Sequence, residues 1–91
     1  MKSILLEAQS LVHGDRNSAY GNPKEDYTRT VSLFKTLMGE KKCSEMTPED
    51  GILFMICVKL SREAHLHKTD NLVDICGYAA CKEWSHNDPD E

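Results

Sequence analysis

A chain of 91 residues, 40% hydrophobic and 29% charged, has the size and balance of one ordinary globular domain. Its formal charge of −4 excludes a general nucleic-acid binder, because no broad basic face is available to displace counterions, but leaves room for a small anion in a local basic pocket. So short a chain buries only about 60–65% of its unfolded surface, so self-association into a dimer or tetramer is expected.

The first helix is predicted over residues 3–13, where Ile4, Leu5, Ala8, Leu11 and Val12 recur at three- and four-residue steps and fall on one face. Glu7 and Gln9 interrupt this apolar stretch, which therefore does not read as a signal peptide. Gly14 ends the helix. The polar, glycine-bounded, non-periodic segment 14–21 reads as a long loop. Next comes a strong start signal: Asn22 as cap, Pro23 at the first helical position, and Glu25 placed to reach back to the cap amide. The second helix runs to residue 38, with Tyr27, Val31, Phe34 and Met38 as its buried stripe, and Gly39 suits its C-terminal cap.

A charged connector, residues 40–46, leads to a second start signal at Thr47 and Pro48. The third helix, to about residue 67, is apolar almost all round between residues 52 and 58, the mark of a central element. That run ends at Lys59 and is far too short to cross a bilayer. Thr69 or Asp70 caps a fourth helix that runs to about residue 84. Gly77 within it costs about 1 kcal/mol relative to Ala, which close approach of another helix, from this chain or a second copy, would offset. Residues 1–84 thus form one all-α domain of four helices, and residues 85–91 form an acidic tail. Cys43, Cys57, Cys76 and Cys81 lack Cys-x-x-Cys spacing. Cys57 and Cys76 lie in apolar stretches, which suggests buried free thiols, a reducing compartment and a cytoplasmic location.

Two constellations can carry chemistry. In the segment before the second helix, Arg16 offers a planar fork for phosphate oxygens, Tyr20 a face for stacking a base, and Gly14 and Gly21 close backbone approach. Asn22 marks helix N-terminal amides. The plain alternative is a connecting loop with Tyr20 tucked into the core. On the third and fourth helices, Lys59, Arg62 and Glu63 follow helical neighbour spacing, as do Asn71, Asp74 and Tyr78. A very short turn joins the two helices, so they lie antiparallel and Arg62 is expected to face Asp74, either as a simple ion pair or as part of a ligand pocket. His13, His65, His67 and His86 do not make a zinc set. Glu63, Asp70 and Asp74 offer a route to one Mg²⁺ held through a phosphate. No serine or cysteine nucleophile has a histidine at recognisable spacing.

The set Gly14-Asp15-Arg16, Tyr20-Gly21-Asn22-Pro23, Thr47-Pro48-Glu49-Asp50, Lys59-Leu60-Ser61-Arg62 and Asp70-Asn71-Leu72-Val73-Asp74-Ile75-Cys76-Gly77-Tyr78-Ala79 resembles a family of short bacteriophage-encoded proteins filed as a domain of unknown function. The resemblance implies an all-α fold, distantly similar to MazG-like pyrophosphohydrolases and to phage nucleotide-modification-associated domains, acting in the cytoplasm of an infected bacterium. The hydrolases' two acidic motifs, Glu-x-x-Glu and Glu-x-x-Asp, fall on Arg62 and His65 and on Asn71 and Asp74. Only Asp74 matches. The same broad class of small phage helical oligomers includes sponges that hold the cyclic nucleotides of CBASS or Thoeris defence.

The expectation is a phage immune-evasion protein that sequesters a nucleotide or cyclic nucleotide without hydrolysing it. Its ligand residues would be Arg16, Tyr20, Gly21, Asn22, Lys59, Arg62, Asn71, Asp74 and Tyr78. There would be no catalytic residue, no metal or other cofactor, and no duplex nucleic-acid or membrane partner. The alternatives are a Mg²⁺-dependent pyrophosphohydrolase and a small helical adaptor for a host protein.

Overall fold

A computed structural model describes residues 3–88. The helices are α1 (Ile4–His13), α2 (Asp15–Tyr20), α3 (Pro23–Met38), α4 (Pro48–His65) and α5 (Thr69–His86), with one 3₁₀ turn (Cys43–Glu45) before α4. No strand occurs among the described residues. The fold is all-α and contains the four expected helices. The addition is α2, where the sequence reads as a loop. Residues 15–20 contain neither glycine nor proline, so nothing within them prevents a short helix between the two flanking glycines. The Gly14 N–H donates to the Ser10 carbonyl at 2.9 Å and closes α1, while the Gly14 carbonyl accepts from the Ser18 N–H at 3.1 Å.

The helix ends follow local chemistry. The Asn22 side chain accepts from the Lys24 N–H at 2.8 Å. Thr47 and Asp50 form a reciprocal capping box at the start of α4, and Lys41 adds an ion pair to Asp50 at 2.6 Å. Those bonds, Lys41 first, hold the Asp50 carboxyl below its usual range. Gly39 takes a positive φ of 60° as its N–H closes α3 on the Lys35 carbonyl. Three boundaries differ from expectation. α4 stops at His65 because Leu66 is extended (φ −154°, ψ 125°). The residue preceding α5 is Lys68, not Thr69 or Asp70, and its side chain makes no cap bond. α5 continues through Ser85 to His86 with Asn87 as its C-cap, and residues 89–91 of the expected acidic tail lie outside the described residues.

α4 is the central helix. It packs against α3 on one side and α5 on the other, α2 bridges α3 and α4, and among the described residues α1 packs only on α2. The apolar core is small: Cys57 and Val58 are buried, and Phe34 meets Phe54 edge-on at 5.1 Å. The buried line of α3 is turned by one residue from the expected stripe. Tyr27 and Val31 are exposed, and Asp26 and Thr30 are buried in line with half-buried Phe34 and Met38. The reason is polar: α3 meets α4 through Ser61, which bonds to Asp26. Cys76, expected inside, is exposed, because α5 turns Asn71, Asp74, Ile75 and Tyr78 inward. Among the described residues no neighbour lies within 4 Å of where a Gly77 side chain would begin, so no described helix approaches it closely.

Candidate functional site

Asp26 is the centre of the polar cluster. It lies in the first turn of α3 and is fully buried. A buried carboxylate requires hydrogen bonds and countercharge. Ser61 on α4 donates to its Oδ1 at 2.8 Å, and Arg16 on α2 donates to its Oδ2 at 2.9 Å. Arg62 Nε stands 3.5 Å from the same Oδ2, close enough for charge attraction but too far for a hydrogen bond. Ser61 also accepts from Arg29 Nε at 3.2 Å, which brings a third guanidinium to the cluster.

Tyr20 is the second focus. The Arg62 guanidinium lies 4.2 Å from its ring centroid, Arg16 lies 5.5 Å away and the Lys68 ammonium 5.6 Å. Arg16 also stands 5.1 Å from the Tyr27 ring. Gathering three cations on one aromatic ring offsets part of their mutual repulsion. Gly21 follows with φ +79°, and a side chain there would begin 2.9 Å from His65 Cε1. Both facts require glycine, which allows α2 to turn into α3 against the end of α4.

The cationic groups outnumber their partners. Arg16 Nη1, Arg29 Nη2 and Arg62 Nε are buried without a hydrogen-bond acceptor among the described residues. A buried guanidinium nitrogen with no acceptor is costly to leave unpaired. Of these three arginines, Arg16 lines an open pocket of about 270 Å³, together with Leu11, Ala19, Tyr20 and Lys68. Along α3 a second, shallower depression carries Lys24, Tyr27, Thr28 and Lys35.

The rim of the cluster is tied by Glu63. Its carboxylate accepts from the Lys68 N–H at 2.9 Å and the Asn71 side chain at 3.0 Å, and it pairs with His67. These bonds, His67 first, pull the Glu63 carboxyl down to about 2. Asn71 is thus a buried structural residue that ties α5 to the connector. One turn further along the hairpin, Lys59 pairs with Asp74 at 2.9 Å. The expected Arg62–Asp74 contact is therefore replaced: Arg62 turns toward Tyr20 and Asp26, and the longer reach to Asp74 falls to Lys59.

Of the nine expected ligand residues, the structure brings together Arg16, Tyr20, Gly21 and Arg62. Asn22 adjoins them but spends its side chain on the α3 cap. Lys59 and Asp74 form their own pair, and half-buried Tyr78 sits a further turn along α5. Sequence reading missed Asp26, Arg29, Ser61 and Lys68. The available signal was Asp26, Arg29 and Thr30 at helical neighbour spacing on α3.

Two of the three acids expected to hold Mg²⁺ through a phosphate have partners within the chain, and the third, Asp70, is exposed in the first turn of α5. Glu63 is held by His67, Lys68 and Asn71, while Asp74 is neutralised by Lys59. No group of three His, Cys, Asp or Glu residues among those described is placed to share a cation. Nor is any helix among the described residues long and apolar enough to cross a membrane.

A family model described as "Domain of unknown function (DUF6378)" matches residues 3–85. Over 91 residues the chain is 37% identical to the "Gene 55 protein" of Mycobacterium phage D29, a match covering 99% of this chain and 58% of that protein. Over 83 residues it is 39% identical to the "Gene 55 protein" of Mycobacterium phage L5, covering 89% of this chain and 51% of that protein. The chain thus spans about half the length of the curated relatives it matches. No solved structure matches it.

Proposed function

The chain belongs to the DUF6378 family, whose function is unknown, and we propose that it binds a phosphate-bearing ligand, a nucleotide or cyclic nucleotide, at the Arg16–Tyr20–Arg62 cluster and releases it unchanged. One observation carries this reading. Three arginines converge on a single buried carboxylate–serine pair and retain buried guanidinium nitrogens with no acceptor. Phosphate oxygens are the matching partners, because guanidinium nitrogens form short charge-assisted bonds to them.

Lys68 adds a flexible positive charge at the pocket mouth. The exposed Tyr27 ring, beside Lys24 and Lys35, supplies a face for a base. No carboxylate in the cluster is free to act as a base toward water: Asp26 is enclosed by Ser61 and Arg16, and Glu63 by its own bonds. Holding without cutting is the activity this chemistry supports. In an infected bacterium, such a protein would lower the free concentration of a nucleotide signal and so blunt a defence response. That role requires dissociation constants near nanomolar, about −12 kcal/mol.

The test is calorimetric titration of the protein with linear and cyclic nucleotides in excess EDTA, then heat denaturation and chromatography of the released ligand. Tight binding and intact recovery are expected. Absence of binding across the panel, or recovery of cleaved products, rejects the proposal.

A further inference from the structure

We infer that helix α1 of a second copy of this chain docks in the groove between α3 and α4, and that this docking closes the rear of the arginine cluster. The groove has a volume of about 530 Å³, and Leu33, Leu37, Leu60 and Ala64 are among its walls. Leu37 is 57% exposed and Leu60 42%. Within the described residues α1 packs only on α2, and it carries Ile4 at 84%, Leu5 at 80% and Leu6 at 66% exposure. The chain therefore bears two apolar surfaces of similar length, one convex and one concave, each without a partner in the same copy. Ten residues of α1 span about 15 Å, as do the ten residues of α3, from Thr28 to Leu37, that border the groove.

The area agrees with such an assembly. The chain exposes 6860 Å², roughly 1,500 Å² more than the ~5,400 Å² expected of a compact monomer of its mass. A stable pair of proteins needs about 800 Å² from each partner. Two reciprocal α1-in-groove contacts, related by a twofold axis, use that excess on both surfaces at once. Charge is complementary too: Arg29 is the charged side chain in the groove wall, and the acid on α1 is Glu7.

The groove also contains Ser61, the residue that bonds to Asp26. A helix seated there covers the half-buried Arg29, which bonds to Ser61, and removes water from beside the already buried Ser61–Asp26 pair, strengthening the field at the cluster. This last link rests on the proposed anion site, whereas the assembly itself does not.

The experiment is sedimentation equilibrium of the full chain at micromolar concentrations, alone and as Leu5→Asp and Leu37→Asp. Neither position is buried, so both variants are expected to keep wild-type helicity by circular dichroism. If either unfolds, Leu5→Ser and Leu37→Ser replace them. The wild type is expected to be a dimer, and each aspartate should weaken association by about 100-fold or more, because it places an unpaired charge in an apolar contact. An equimolar mixture of the two variants should regain dimers, since one α1 and one groove remain intact across the pair. A monomeric wild type, a dimer that survives both substitutions, or a mixture that stays monomeric overturns the inference. Nucleotide titration of the Leu5→Asp monomer reads the coupling separately: affinity at least tenfold weaker is expected, and unchanged affinity removes the coupling while leaving the dimer standing.

Discussion

The Arg62 guanidinium lies 4.2 Å from the centroid of the Tyr20 ring while its Nε stands 3.5 Å from the buried Asp26 carboxylate, so one side chain joins α2, α3 and α4. Arg62→Ala is expected to weaken nucleotide binding about 10- to 100-fold, the scale of one charge-assisted contact. Arg62→Lys should recover only part of this, because an ammonium keeps the charge but loses the planar stack and the fork. Calorimetric titration of both variants checks it, with circular dichroism confirming the helices. Wild-type affinity in Arg62→Ala would remove the arginine from the site.

Asp26 competes with any bound anion for the same guanidinium groups. Asp26→Asn is expected to lower unfolding free energy by about 1–3 kcal/mol through weakened buried bonds to Ser61 and Arg16. At the same time, anion affinity should rise several-fold because Arg16 and Arg62 are released. Urea unfolding and phosphate titration measure the two effects. Arg16→Ala should move in the opposite sense on binding and cost about 3 kcal/mol or more of stability, because it leaves a buried carboxylate short of a partner.

Glu63 sets an acid limit. Its carboxyl is held at about 2 in the folded chain, against 4.5 for the free group. Because the folded value is the lower one, its stabilisation is fully present above about pH 4.5, fades as the pH falls through that interval, and is gone below about pH 2. Urea midpoints between pH 5 and pH 2.5 should therefore fall more steeply for the wild type than for Glu63→Gln. Parallel curves would show that the His67, Lys68 and Asn71 contacts contribute nothing to folding.

Gly21→Ala meets two obstacles, a φ of +79° and a contact of 2.9 Å to the His65 ring. A loss of about 1–3 kcal/mol is expected. The double variant Gly21→Ala/His65→Ala should recover the steric part and retain the backbone part. Thermal unfolding of the single and double variants separates the two. Equal stability of Gly21→Ala and wild type would mean that the α2–α3 turn adopts another conformation.

What could be read along the chain is what neighbours in sequence decide. Asn22-Pro23, Thr47-Pro48 and Gly39 mark helix ends because their capping bonds reach only one turn, and all three act there. Arg16, Tyr20 and Arg62 could be singled out because their side-chain chemistry suits an anion. Phase and register were a different matter. Hydrophobic periodicity placed Tyr27 and Val31 inside, but the pairing of Asp26 with Ser61, 35 residues away, rotates α3 and buries Asp26 and Thr30 instead. The hairpin spacing suggested Arg62 opposite Asp74, yet the extended Leu66 and the turn that follows set a register pairing Lys59 with Asp74. That shift frees Arg62 to join Arg16 on Tyr20. Local bonding and residue chemistry are encoded within a few positions of the chain, whereas the meeting of three arginines around one carboxylate–serine pair depends on how three helices pack, a choice made by contacts that no short window of sequence contains.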